Sequence, residues 1–284
     1  MEEQNVFARR LSTQLKISTI RVFTLIELLV VISIISILAG LLLPSLIAAR
    51  ARGKGISCTS NVKQLSTANV SYSTDSGYFA PYQNGDTGMA GLGKMWNGNR
   101  YEDGDKYVDL TAGGFLSPYI SDSADVLICP DWKLVTDKTR VVGGAGYGYN
   151  VYGVGSHAYL TGSAYYSGAG MKAVLFAEPS KTIAFADSCN GRTTATELEG
   201  YSSVYPYYRV SGTGDELKSV TFSSINSRGD NIHFRHTGVG NIGWLDGHVS
   251  SEKPLRVKAS DLARTELIGN IGPEDNSLFD PWNL

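Results

Sequence analysis

His233, His236, Asp246 and His248 place most of the chain's histidines, together with a carboxylate, inside 16 residues. Imidazole and carboxylate ligands on facing strands would give such a cluster around zinc or another metal ion. Alternation along a strand puts His233 and His236 on opposite faces, so both reach one ion only where the strand ends between them. The other role open to His236 is a hydrogen-bonding clamp on the hairpin that follows it. Three cysteines, Cys58, Cys129 and Cys189, allow one disulfide and a leftover thiol, or three thiols. A Cys58–Cys129 bridge would staple an N-terminal rod to the first strand of a head, whereas Cys189 lies in the polar turn Asp187-Ser-Cys-Asn-Gly191.

Asp103, Asp105 and Asp109 begin like a calcium loop, but Val108 stands where the sharp turn needs glycine and no Glu occupies the twelfth position. Calcium therefore has no ligand set that the sequence assigns. Gly144-Ala-Gly146-Tyr-Gly148 lacks the downstream glycine and the strand-to-helix setting of a dinucleotide loop, and is a Gly/Tyr turn. No Gly-x-Ser-x-Gly elbow, His-Glu-x-x-His helix or phosphate-binding loop occurs, so neither enzymatic activity nor a cofactor is expected.

The element that must position these groups begins near the N-terminus. Residues 23–47 are apolar but for one ionisable side chain, Glu27, and a bilayer core of about 30 Å takes roughly 20 such residues as a helix. The run is longer than the core of a secretory signal peptide and continues into Arg50, Arg52 and Lys54. Ahead of it, Arg9, Arg10, Lys16 and Arg21 outnumber Glu2 and Glu3, which keeps residues 1–22 cytoplasmic and sends the body of the chain across the membrane. Glu27 lies near the cytoplasmic edge, where a lone carboxylate either snorkels or finds a partner. Pro44 removes one backbone hydrogen bond from the helix, and Gly53 and Gly55 weaken its continuation. The helix is nonetheless predicted to run on through residues 48–75, because Cys58, Val62, Leu65 and Tyr72 form one apolar stripe that can pack on a head.

The word Arg21-Val-Phe-Thr-Leu-Ile-Glu-Leu-Leu-Val-Val-Ile32 resembles the prepilin-type signal of type IV pilins and type II secretion pseudopilins. The resemblance implies a membrane peptidase that cuts between Val22 and Phe23 and methylates the new amine of Phe23. It also implies a Glu27 carboxylate paired with the amine of a neighbouring subunit, and a helix-interrupting proline at Pro44. Two buried opposite charges would relieve each other's desolvation and fix the axial register between helices. The departure is Val22: the family places glycine, less often alanine, before the cut, and a β-branched side chain fits poorly where no bulk is wanted. Either the peptidase accepts valine or the subunit remains an uncut membrane protein.

Beyond residue 75 turn signals dominate, as in Asn84-Gly-Asp86, Asn97-Gly-Asn99 and Asp103-Gly-Asp105. Short β-branched or aromatic runs at residues 126–128, 174–176, 182–186, 232–235, 241–245 and 248–250 are predicted strands of one antiparallel sheet, with a short helix at 260–267. Asp246-Gly247 between two apolar runs predicts a tight hairpin over residues 242–249. Nine residues separate His236 from Asp246-Gly247, and this resembles the closing H-x9-DG motif of a family of large prepilin-like proteins. Cys58-Thr-Ser-Asn-Val-Lys-Gln-Leu65, Gly77-Tyr-Phe79, Cys129-Pro130, Tyr147-Gly-Tyr-Asn150, Pro179 and Ala186-Asp-Ser188 are similar to its other landmarks, in order.

The expected fold is α+β and pilin-like: a long N-terminal helix, membrane-spanning in its first half and amphipathic in its second, packed on a small antiparallel sheet with long loop-rich insertions. Residues 76–284 form the head, with the motif hairpin at 236–250. The resemblance implies a bacterial inner-membrane protein with a single pass, its head periplasmic or extracellular. Its implied partners are itself and other pilins or pseudopilins, the prepilin peptidase, and the inner-membrane assembly platform with its ATPase. A net charge of −2, with no basic stripe after residue 54, argues against nucleic acid as a partner. A Gly- and Tyr-rich head also suits a second role, a membrane-anchored adhesion module that captures a glycan or secreted substrate.

Overall fold

The structure, a computed structural model, describes residues 24–84, 93–103, 105–120, 124–132, 141–142, 145–151, 153–156, 169–189, 203–204, 208–209, 223–224, 232–257, 268–272 and 278–279. The junction Val22/Phe23 and the predicted helix at 260–267 lie outside these residues. The chain divides into two compact units, Met1–Ala48 and Ala49–Leu284.

In the first unit the described residues form the start of helix α1 (Leu25–Ser76). Thr24 is its N-cap: the Thr24 N–H and hydroxyl both donate to Glu27 Oε2 at 2.8 Å, and the Glu27 N–H donates to the Thr24 hydroxyl at 3.3 Å. This reciprocal capping box satisfies donors that a helix start leaves bare. Its Thr-x-x-Glu signature stands in the sequence at Thr24 and Glu27, a local role for the carboxylate beside the membrane and assembly roles expected of it. The window of highest mean hydropathy, 2.8, is long enough to cross a bilayer and wholly exposed, with Leu25 and Leu41 more than 70% accessible. Pro44 sits inside the helix without ending it. Ser33, Ser36 and Ser45 return their hydroxyls to carbonyls one turn back, which satisfies these polar groups within the apolar run.

The second unit begins within α1 and contains the β structure. Helix residues Cys58, Val62, Leu65 and Ala68 are buried, and Tyr72 packs against the same core, so the predicted stripe is the buried face. Gly77, at φ +78°, stops the helix, its N–H donating to the Ser73 carbonyl at 2.8 Å.

Among the described residues the β structure is four small sheets rather than the single one predicted. β1 (Gly93–Lys94), β2 (Asn99–Asp103), β3 (Asp105–Asp109) and β4 (Val141–Val142) form an antiparallel meander. The main sheet has β5 (Tyr147–Asn150), β6 (Ile183–Asp187), β7 (Ser203–Val204), β11 (Gly240–Trp244) and β12 (Val249–Glu252) in the order β12-β11-β6-β5-β7. All its neighbours are antiparallel except β5 and β7. β8 (Tyr208–Arg209) pairs with β9 (Ser223–Ser224). β10 (Ile232–His233), β14 (Ile268–Asn270) and β13 (Arg256–Val257) make the last sheet.

β6 and β5 are buried at every residue, as central strands covered on both faces are. One face carries the helix stripe with Trp96, Tyr149 and Phe185, the last two stacked with centroids 4.8 Å apart. The other carries Ile183, Ile232, Phe234, Ile242 and Phe279.

Two predicted strands are 3-10 turns instead. Ala124–Leu127 and Ala173–Leu175 each close on their own carbonyls, Ile128 N–H to Asp125 O and Phe176 N–H to Ala173 O. An apolar run of three residues is too short for its β preference to decide without a partner strand.

Candidate functional site

The second half of α1 presents Cys58, the segment after the turn Ala124–Leu127 presents Cys129, the C-terminal end of β6 presents Asp187, and the segment after β10 presents His236. All four are buried, and their sulfur, nitrogen and carboxylate oxygen atoms lie within 4.8 Å of one another. Cys129 Sγ is 3.6 Å from His236 Nε2, and His236 Nε2 is 3.5 Å from Asp187 Oδ2. The thiols of Cys58 and Cys129 are thus brought together from elements far apart in the chain, and both are free.

Backbone hydrogen bonds aim these groups. Asp187 is fixed by the N–H of Asn241 on β11, which donates to Oδ2 at 2.8 Å, while Oδ1 is buried without a hydrogen-bond partner. The Asn241 side chain ties helix to sheet, its Oδ1 accepting from Thr59 at 2.9 Å and from Ser251 at 2.8 Å. β10 ends at His233, and the chain reverses through Thr237 (φ +57°) and Gly238 (φ +83°), with His236 and Val239 exchanging both backbone bonds. Two successive positive φ values make a tight turn whose twist suits a hairpin. They free the His236 ring from the strand and let it face the thiols.

The surroundings are polar on one side. Asp131 Oδ2 lies 3.7 Å from His236 Nδ1, and Asp131 Oδ1 is bridged to Lys54 at 3.0 Å. Arg235 donates to the carbonyls of Gly146 and Ser188, both at 2.8 Å, and its guanidinium lies 4.7 Å from the Trp132 ring centre. Gly146, at φ +97°, has no room for a side chain: a Cβ there would stand 2.8 Å from Arg235 Nη1 and 2.9 Å from Cys129 Cβ.

The electrostatics follow from this packing. A hydrogen bond from Cys58 pulls the Cys129 thiol down to about 6 against its burial, helped by His236 and the nearby Arg235 charge. Cys58 moves the other way, raised first by that same bond and then by burial. Burial presses His236 down, but Asp187 and Cys129 outweigh it and lift the imidazole to about 9. The cluster therefore favours one thiolate beside an imidazolium and an aspartate, with Arg235 as counter-charge. Two sulfurs, one imidazole and one carboxylate are also a ligand set for a soft or borderline divalent ion.

The other sequence candidates go elsewhere. His233 is buried edge-on to Trp132, centroids 6.1 Å apart, with both ring nitrogens lacking a hydrogen-bond partner, and it takes no place in the cluster. His248 is half-exposed, stacked on Trp244 and bonded to Asp246 at 2.6 Å, so it too takes no place in the cluster. Nor does the His236 ring clamp the following hairpin: Asp246 organises that turn itself, accepting from the His248 N–H at 3.0 Å. Only Gly247 of the pair has positive φ, at +92°. Gly247 N–H bonds Trp244 O and Trp244 N–H bonds His248 O, a three-residue loop in place of the two-residue turn expected. Lys63 of the helix donates to the Gly247 carbonyl at 2.7 Å. Cys189 is fully buried rather than lying in an open polar turn, and burial pushes its thiol up to about 12. Asp109 caps the 3-10 turn Leu110–Ala112 by accepting from the Thr111 N–H, and Asp103 pairs with Asp105 across β2 and β3, a hairpin in place of a calcium loop. Asp187 has no site role in the sequence, where it belongs to a polar turn and to the Ala186-Asp-Ser188 landmark.

No family model matches the chain, and no solved structure matches it. Over 81 residues it is 38% identical to the type IV major pilin protein PilA of Myxococcus xanthus (strain DK1622), covering 28% of this chain. The chain spans 34% of the length of that curated relative. With a long apolar N-terminal helix followed by small antiparallel sheets, this partial similarity makes the arrangement pilin-like.

Proposed function

We propose that this chain is a structural subunit, a pilin or pseudopilin, that is held in the bacterial inner membrane by the first half of α1 and assembles through that helix into a type IV pilus or a type II secretion pseudopilus. The observation that carries the reading is the wholly exposed apolar helix in a chain partly similar to a major pilin. Such a surface is stable only in lipid or against copies of itself. The head lies outside the cytoplasm, and the chain works without catalysis.

Assembly would proceed by removal of residues 1–22, methylation of Phe23, and extraction from the membrane by the assembly platform and its ATPase. Glu27 supports this in one respect: both Thr24 bonds fall on Oε2, which leaves Oε1 to accept from the Phe23 amine of the neighbouring subunit. The capping box then positions the carboxylate for docking.

The test is to shear filaments from cells expressing the chain, identify their subunits and read the mature N-terminus by mass spectrometry. The expected result is this chain within filaments, beginning at methylated Phe23, with Glu27→Ala lowering its incorporation at unchanged membrane levels. Recovery only as an unassembled membrane protein would overturn the proposal.

A further inference from the structure

We propose that Cys58, Cys129, Asp187 and His236 form a structural zinc site that locks the second half of α1 onto the head. The inference concerns the second unit alone and holds whether or not the chain enters filaments.

Its first support is geometry. Zn–S bonds of about 2.3 Å and Zn–N bonds of about 2.0–2.1 Å, set tetrahedrally, put sulfur and nitrogen about 3.6 Å apart, and nitrogen and carboxylate oxygen about 3.4 Å apart. The corresponding distances here are 3.6 Å for Cys129 Sγ to His236 Nε2 and 3.5 Å for His236 Nε2 to Asp187 Oδ2. Two thiolates in such a site stand about 3.8 Å apart, so even a pair at the 4.8 Å limit of the cluster needs to close by only about 1 Å. Side-chain rotation can supply that.

The second support is the unsatisfied chemistry. Asp187 Oδ1 and His236 Nδ1 are buried without hydrogen-bond partners, and orphaned polar atoms of this kind are costly. An ion bound by Nε2 leaves the ring proton on Nδ1, facing Asp131, which Lys54 already holds in place. Closing this 3.7 Å gap by a small rotation would give the outer carboxylate–histidine contact by which proteins orient a zinc-bound imidazole. Charge closes as well: two thiolates, Asp187 and a neutral His236 around a divalent ion leave one negative charge, which the Arg235 guanidinium beside the cluster offsets.

Third, the site is closed. Four protein ligands, each at most 5% exposed, leave no open position for substrate, which distinguishes a structural from a catalytic ion. Binding two thiolates and a neutral imidazole releases two protons from the cysteine–histidine cluster and joins helix, β6 and the segments around residues 129 and 236, so that metal affinity becomes folding stability.

The experiment takes the full-length chain, extracted in detergent and purified without chelators, and measures zinc by mass spectrometry alongside a count of free thiols. The expected result is about one zinc per chain, retained by His248→Ala. In Asp131→Asn, which keeps all four ligands, affinity should fall about 10–100-fold. Replacing zinc with Co2+ in the unaltered chain should give the intense visible bands of tetrahedral cobalt and a thiolate-to-metal charge-transfer band, both absent from His236→Ala. Should His236→Ala fail to fold, the cobalt spectrum of the unaltered chain and the Asp131→Asn affinity still decide. Zinc well below one per chain, a weak octahedral cobalt spectrum, or two thiols recovered only after reduction, which marks a Cys58–Cys129 disulfide, would each overturn the site.

Discussion

Gly243 on β11 lies directly against Val62 and Ser66 of the helix, and Gly243→Ala tests that packing. An added Cβ would stand 2.8 Å from Val62 Cγ1 and would also overlap the Ser66 hydroxyl. Ser66 can yield by rotation, because its oxygen has no hydrogen bond to lose. Val62 is fully buried, and carbon–carbon contacts are comfortable only at about 3.5–4.0 Å, so it must retreat by roughly 1 Å within a filled core. Overpacking of this kind costs about 1–3 kcal/mol, offset by up to ~0.8 kcal/mol for the buried methyl. A net loss of about 1–2 kcal/mol lowers the melting temperature by about 2–8 °C in a domain of this size. The assay is a thermal melt of the full-length chain in detergent, followed through tryptophan emission, since Trp96 and Trp244 lie in the two cores. Val62→Ala alone removes packing and also destabilises, but the added methyl partly fills the space it leaves. The double variant should therefore be more stable than the sum of the single losses by at least about 1 kcal/mol. Additivity within about 0.5 kcal/mol, or a Gly243→Ala melt at or above that of the unaltered chain, would refute a close helix–sheet contact at this position.

The remaining predictions concern two buried polar residues. Burial, with the Arg235 charge second, depresses His233 to about 2, so the folded chain binds fewer protons here than the unfolded chain below the ordinary histidine value of about 6.5. Stability from this residue is complete above that pH and falls by up to about 1.4 kcal/mol per unit as acid is added; His233→Leu should flatten the acid limb of a denaturation–pH curve, and an unchanged limb would refute the assignment. Asn150 donates to the Ile183 and Phe279 carbonyls at 2.9 and 3.0 Å and accepts from the Gly153 N–H at 3.0 Å. Asn150→Ala strands these buried groups, which should cost about 2–4 kcal/mol and speed amide exchange around residues 278–279; unaltered exchange there would show that Asn150 does not hold this segment.

The anchor and the buried stripe of α1 were legible because each is a periodic or continuous pattern within one segment, and hydropathy alone decides it. The hairpin was legible from Asp246-Gly247, though not its loop length, since the count of loop residues depends on how Trp244 meets His248. The metal-ligating cluster was not. Zinc motifs are recognised by ligands a few residues apart, whereas Cys58, Cys129, Asp187 and His236 come from four separate segments that only the tertiary packing of helix, sheet and turns brings together. Three histidines close in sequence drew attention instead, yet the reversal at Thr237 and Gly238 sends His236 one way while His233 and His248 face Trp132 and Trp244.

The polar residues along the helix explain why an apolar stripe alone does not fix this fold. A stripe of small and medium side chains can slide along a sheet by one helical turn and still bury similar area, since hydrophobic burial is non-directional. Thr59 bonded to Asn241, Lys63 to the Gly247 carbonyl, and Asn69 to the Ala80 N–H at 3.0 Å each accept only one axial position. A slip of one turn, about 5.4 Å, would break all three, leaving the buried Asn69 oxygen without its Ala80 donor and Asn241 with Ser251 alone. Cys58 lies one residue before Thr59 and is held to the same register. An ion there would add a fourth tie, at the point where the packed part of the helix begins.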